Sequence, residues 1–222
     1  NNNNNNTTTI GPVPTTFTKK VLIEEFTGAW CGYCVDGAYI VEQIETANPN
    51  KAIGVSIHQG DGMQISLYNT LDGIFNNTGF PSGMVDRVPY NGSTCINRGY
   101  WTSRATAELA KTAECGLAMK TEYNAAGDSV VAEIHAGFKS ALTGNYKLVA
   151  YVVEDSVTGT GSQYDQVNYY SANNPSGPAG SSSHPYYNLP YHITGYKHMH
   201  VVRKSLPSDL GEAVDAASLV SG

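Results

Sequence analysis

The chain has 222 residues, above the usual single-domain size of about 100 to 150, so two domains are expected. With 41% hydrophobic and only 14% charged residues, against about 25% charged in average globular proteins, most of it should fold. A formal net charge of -6 repels phosphate backbones and excludes nucleic acid as a partner. The longest apolar run, Leu148 to Val153, falls far short of the roughly 20 residues of a membrane-crossing helix.

Residues 1–16 open on a run of Asn and Thr that has no apolar surface to bury, and read as a disordered tether outside the fold. Residues 19–27 form a β-branched, apolar run closed by Gly28, the pattern of a strand buried on both faces. After Cys31-Gly32-Tyr33-Cys34, the residues Val35, Ala38, Tyr39, Val41, Ile44 and Ala47 recur at helical spacing until Asn48-Pro49 stops them. In residues 51–58, Ile53, Val55 and Ile57 line one face of a second strand. The small Ala52, Gly54 and Ser56 line the other, where a helix can approach closely. Leu67, Leu71, Ile74 and Phe75 predict a second helix, Met84-Val85 a third short strand, and residues 98–113 a further helix with Trp101, Ala105 and Leu109 four apart. Strands alternating with helices imply an α/β layer.

Near Cys115 the period changes to two. Runs at 115–123, 130–138, 146–153 and 196–204 alternate strictly and predict an antiparallel sheet or sandwich. The expected architecture is thus an α/β domain over 17–114 followed by an all-β, sandwich-like domain over 115–222. Between the last two runs, residues 157–195 form a loop rich in Gly, Ser and Tyr. It reads either as a cover over the sheet or as a contact surface for a peptide or glycan. The end of the chain at Ser221-Gly222 suggests a second domain that is truncated or completed by a partner.

One motif carries chemistry: Trp30-Cys31-Gly32-Tyr33-Cys34, set between a buried strand and a helix. A helix N-terminus lowers a thiol pKa through its partial positive charge and free N–H groups, which makes Cys31 the expected nucleophile. Cys34, one turn behind, would resolve the mixed disulfide. A purely structural bond is the alternative, although so short a loop constrains little of the unfolded chain. Zinc would want a second close pair, and 19 residues lie between Cys95 and Cys115; no metal or other cofactor is expected. His198 and His200, with His192 nearby, could be metal ligands only with a third convergent group, and read instead as solvent-facing histidines opposite Met199 and Val201. His58 reads as a polar strand end, at the edge where α/β folds bind ligands.

The run Val21 to Cys34 resembles the first active-site strand of the thioredoxin superfamily, in which a carboxylate stands six residues before the nucleophile. Glu25 holds that position. The resemblance implies that Glu25 is buried and exchanges the proton of the resolving thiol, whereas Glu24 is left outside. Phe80-Pro81 looks like the superfamily's substrate-binding cis-proline, so Phe80 and Pro81, with Trp30 and Tyr33, are expected to contact substrate. Gly32-Tyr33 is similar to the pair found in bacterial disulfide isomerases, and reductase and isomerase both remain open. The segment Gln59 to Ser66 looks inserted.

More narrowly, residues 17–215 resemble the outer membrane protein 28-related lipoproteins of Gram-negative bacteria, through Gly79-Phe80-Pro81-Ser82-Gly83-Met84-Val85-Asp86-Arg87 and His198-Met199-His200-Val201-Val202-Arg203. That resemblance implies a thioredoxin-like domain joined to a β-sandwich, in an extracytoplasmic protein held at the outer membrane by a lipid anchor upstream of residue 1. Its partners would be proteins bearing cysteines, or an envelope partner protein if the thioredoxin-like layer serves only as a binding or assembly scaffold. In an oxidising compartment Cys95 and Cys115 are expected to form a structural disulfide, two buried free thiols being the alternative. Asp128-Ser129-Val130 and Asp155-Ser156-Val157 resemble a short bacterial O-glycosylation triplet.

Overall fold

An apolar, β-branched run between Lys20 and Gly28 can bury both of its faces, and in the computed structural model it forms strand β1 (Val21–Thr27). The structure describes residues 17–124, 126–215 and 219; the tether expected over 1–16 and the chain end at Ser221-Gly222 lie outside them. In order after β1 come α1 (Cys34–Ala47), β2 (Ala52–His58), α2 (Ser66–Phe75), β3 (Ser82–Val85), β4 (Ile96–Asn97), α3 (Trp101–Leu109), β5 (Cys115–Asn124), β6 (Ser129–Phe138), β7 (Lys147–Leu148), β8 (Ala150–Glu154), β9 (Gln166–Val167), β10 (His192–Ile193), β11 (Val201–Leu206) and β12 (Glu212–Ala213).

The chain divides into two compact units. The larger comprises Lys20–Lys111 and Lys147–Ala213. It is built on a six-stranded sheet of order β4-β3-β1-β2-β11-β8, in which β1, β2 and β11 run parallel and the others antiparallel to their neighbours. Alternation sends Val21 and Ile23 to the face covered by α1 and α3, with Val41, Ile44, Trp101 and Ala105. Phe26, Val55 and Ile57 go to the other face, with Leu67 and Leu71 of α2 and with Val202. Gly54 is required where α1 crosses β2, because a Cβ there would run into Val41. Helix α1 ends at Asn48, whose side chain donates to the Ile44 carbonyl, and Pro49 cannot continue it. Helix α2 ends where Asn76 adopts a left-handed conformation, φ 52°.

The smaller unit centres on Thr112–Tyr146. It is a long antiparallel hairpin, β5 against β6, in register from Cys115↔Phe138 to Asn124↔Ser129. The Phe17 ring lies against Gly116, in the space a Cβ would take.

The expected partition into 17–114 and an all-β 115–222 is therefore corrected. Strands β8 and β11, from the second half, complete the first sheet. Among the described residues the other late strands form the β5–β6 hairpin and the short pairs β9–β10 and β7–β12, and no two-sheet sandwich is present. A period of two marks a strand but does not say which sheet takes it. Val201, fully buried, pairs with Ser56 of β2 instead.

Candidate active site

Strand β1 delivers its last residues to a turn in which the Cys31 N–H donates to the Gly28 carbonyl (2.9 Å) and the Cys34 N–H to the Cys31 carbonyl (3.0 Å). Cys31 and Cys34 are joined as a disulfide at the start of α1. Behind it, Glu25 projects from β1 on the α1 side of the sheet. It is buried, and its Oε1 has no hydrogen-bond partner. Burial pushes this carboxyl up to about 8, opposed by the charge of Arg98 and assisted by that of Asp36. Gly37 makes the approach of α1 feasible: a Cβ there would collide with Glu25 Oε1 and come within 3.0 Å of Pro81. The Phe80–Pro81 peptide is cis, and Phe80 meets the half-exposed Trp30 edge to face at 5.2 Å. The fold thus gathers Glu25, Trp30, Cys31, Tyr33, Cys34, Phe80 and Pro81 around one turn.

Two features of that turn were not legible beforehand. The first is Asp61, in the segment that looks inserted. One carboxylate oxygen accepts the Ala29 N–H (2.8 Å) and meets His58 Nδ1 (2.7 Å); the other accepts the Met63 N–H (2.9 Å). Burial pushes the Asp61 carboxyl up, but the hydrogen bonds from His58, Ala29 and Met63 outweigh it and hold the group below the ordinary range. His58 is accordingly a buried partner that helps pin the turn. The sequence signal is Asp61-Gly62 just after a strand, a turn pair that carries no hint of its long-range partner.

The second feature is the cover. The Val167 N–H donates to the Ala29 carbonyl (2.8 Å), the Tyr169 N–H to the Gly32 carbonyl (2.9 Å), and Gln166 Nε2 to the Cys31 carbonyl (3.0 Å). The Tyr169 ring occupies the space a Gly32 Cβ would need and meets Tyr33 edge to face at 5.1 Å. Cys31, expected to be an accessible nucleophile, is therefore only 4% exposed. The cover is anchored on the first turn of α1. Asp36 accepts from Arg98 Nε and from the Tyr170 hydroxyl (3.2 Å), and His184 Nε2 lies 3.1 Å from its other oxygen. Tyr170 and His184 stack at 3.8 Å. Of the two readings of residues 157–195, a cover fits the geometry, though over the disulfide turn and not merely the sheet.

Three further expectations are corrected. Cys95 and Cys115 are free thiols, Cys95 buried and Cys115 exposed. They belong to different compact units, and Cys95 packs among Phe26, Tyr68 and Met84, where burial pushes its thiol up to about 11. Glu24 is fully buried on the sheet face opposite Glu25, and Arg87 donates to both of its oxygens at 2.7 Å. His198 is buried and sits 2.8 Å from the Tyr164 carbonyl, while its neighbour Met199 is the exposed residue. His200 pairs with Glu45 and Asp155. Among the described residues no group of three His, Cys, Asp or Glu is placed to hold a metal ion.

A cavity of about 380 Å³ opens beside α1 and runs down to Glu25 and Cys34. Thr27, His58 and Gln166 also line it, and Lys197 and Met199 stand at its exposed rim.

The solved structure of HBP35 of Porphyromonas gingivalis is similar to this fold, with a TM-score of 0.65 at 23% identity over 90% of this chain and 60% of that one. The chain thus spans 60% of the length of HBP35. A protein of Agrobacterium tumefaciens aligns over 86% of this chain and 72% of its own at 13% identity, with a TM-score of 0.45. No curated protein matches the sequence. No helix among the described residues is long and apolar enough to cross a membrane. The model of the outer membrane protein Omp28 family matches residues 68–221, more than half of the chain, so this protein belongs to that family and is extracytoplasmic and associated with the outer membrane.

Proposed function

We propose that the chain is an extracytoplasmic thiol–disulfide oxidoreductase, a reductase or isomerase, acting on protein cysteines through the Cys31–Cys34 pair of a thioredoxin-like layer. The observation that carries this reading is the pair itself, at the start of a helix and directly above a buried, unpartnered carboxyl. Protonated Glu25 can supply the proton that the Cys34 thiolate needs after reduction, and the ionised form can take it back. Cys31, before the first turn of α1, is the thiolate that the helix end stabilises. Trp30, Tyr33, Phe80 and Pro81 surround the pair and would contact a substrate chain once the segment Gln166–Tyr170 lifts. Insulin reduction and scrambled-disulfide isomerisation by the wild type and by Cys31→Ser test the reading: a wild-type rate no greater than that of the variant ends it.

One observation favours a second reading. The same segment is hydrogen-bonded along the turn, as befits a retained scaffold serving as a binding or assembly module of the envelope. In that case a stoichiometric envelope partner co-purifies equally well with Cys31→Ser.

A further inference from the structure

Residues 166–170 lie along the disulfide turn as a short extended strand. The N–H groups of Val167 and Tyr169, two apart, donate to the Ala29 and Gly32 carbonyls at 2.8 and 2.9 Å, while the intervening Asn168 N–H points away, to the Tyr191 carbonyl. Alternation of this kind is how one edge of a strand pairs with a neighbour. Gly32 adds a seat for one side chain. A Cβ there would lie 2.2 Å from the Tyr169 ring, which also meets Tyr33 edge to face at 5.1 Å. Gly32 has no left-handed φ, so it is the ring, not the turn, that needs the missing side chain. Backbone pairing together with a seat for an alternate side chain is the chemistry of strand addition, in which main-chain hydrogen bonds supply affinity and pockets supply selectivity.

We propose that the turn recognises polypeptide partners in this way and that the cover is their intramolecular stand-in. A partner docks as an extended segment whose N–H groups replace those of Val167 and Tyr169 on the Ala29 and Gly32 carbonyls, with an aromatic residue seated on Gly32. This deepens the thiol–disulfide reading above, and rests on it, by naming the class of polypeptide on which the pair acts. A partner that covered the two carbonyls without donors would leave them unsatisfied in a dry contact. Its segment must also be locally unfolded, because N–H groups already paired within a sheet or helix are not available to the turn. Partner and cover compete, so the apparent affinity of the chain is reduced by the fraction in which the cover is open.

The probe is a fluorescein-labelled peptide of residues 164–172, followed by anisotropy against the disulfide-bonded full chain. Tyr169→Ala removes the ring from Gly32, and Tyr170→Phe unties the cover from Asp36 and Arg98. Each variant should bind the peptide about tenfold more tightly than the wild type. Methylating the peptide nitrogen at Val167 or at Tyr169 should weaken binding to these variants about tenfold, and methylation at Asn168 should not. Gly32→Ala expels the cover's ring but fills the seat, so it should gain no affinity, whereas nonspecific loosening would raise binding in all three variants. Equal affinity for the three methylated peptides, a gain in Gly32→Ala, or no gain in either loosened variant overturns the inference. Insulin reduction is measured alongside. Wild-type reduction faster than that of Cys31→Ser, without such peptide binding, leaves the oxidoreductase reading standing and the inference fallen. Binding as expected by a chain that reduces insulin no faster than Cys31→Ser keeps the docking mode and defeats the oxidoreductase reading.

Discussion

Glu25 shows how a single residue sets a measurable pH dependence. Its carboxyl titrates near 8 in the folded chain against an ordinary value of 4.5, so between those limits the native state binds more protons than the unfolded state. Stability must therefore fall as pH rises through that window. The fall should be on the order of 3 to 5 kcal/mol, and Glu25→Gln should abolish it, leaving the variant the more stable protein above pH ~8. Urea denaturation of both disulfide-bonded proteins from pH 4 to 9 gives the comparison, and parallel curves would mean that Glu25 is solvated. Gly37→Ala tests the same corner sterically: overpacking against Glu25 and Pro81 should cost about 1 to 3 kcal/mol, where an exposed helical Gly→Ala change would stabilise. Cys31 and Cys34 could be read from their spacing between a strand and a helix, and Glu25 only through the resemblance of its strand to the thioredoxin superfamily's. Glu24 could not, since its partner Arg87 is 63 residues away and alternation tells the face a residue takes, not whether that face is covered.

At the scale of elements, the cover over the disulfide turn is held by a small polar knot. The Tyr170 hydroxyl donates to Asp36 and accepts from Arg98 Nη2 (2.9 Å), while its ring stacks on His184. Tyr170→Phe keeps the stack and removes both hydrogen bonds, which should cost about 1 to 3 kcal/mol locally. If the cover opens as a unit, amide exchange at Val167 and Tyr169 should quicken about tenfold or more while exchange in β1 is unaltered; equal acceleration in β1 would indicate that the segment unfolds only with the sheet. Its many tyrosines pointed to an ordered segment, and that property was visible in composition. Where it docks was not: the backbone N–H groups of Val167 and Tyr169 meet the carbonyls of Ala29 and Gly32, contacts that leave no signature in side-chain type, and the side chains of the knot come from residues more than 60 positions apart in sequence.

For the whole molecule, the decisive fact is that the sheet is assembled from both ends of the chain. The first half supplies β4, β3, β1 and β2; β1, β2, β3 and the helices between them were legible from period and turn residues, whereas the two-residue β4 was not. The second half supplies β11 and β8, which cover the outer edge of β2. Without them the Ser56 N–H, which donates to the His200 carbonyl at 2.7 Å, loses its partner, and the apolar cluster around Phe26, Val55 and Ile57 loses Val202 and Tyr151. Glu24, fully buried, loses the Tyr151 hydroxyl that donates to it at 3.1 Å and supports its pairing with Arg87. The buried Glu24–Arg87 pair would keep its own two hydrogen bonds but lose the one from Tyr151, a cost of about 1 to 3 kcal/mol. A fragment of residues 17–114, the autonomous domain suggested by the change of period at Cys115, should therefore show no cooperative thermal transition and should expose apolar surface to a dye such as ANS. The full chain should melt cooperatively. If instead the fragment melts sharply with the near-ultraviolet circular dichroism of a packed Trp101, then β8 and β11 are ornaments on a self-sufficient four-stranded layer, and the boundary drawn from sequence periodicity is also the boundary of folding.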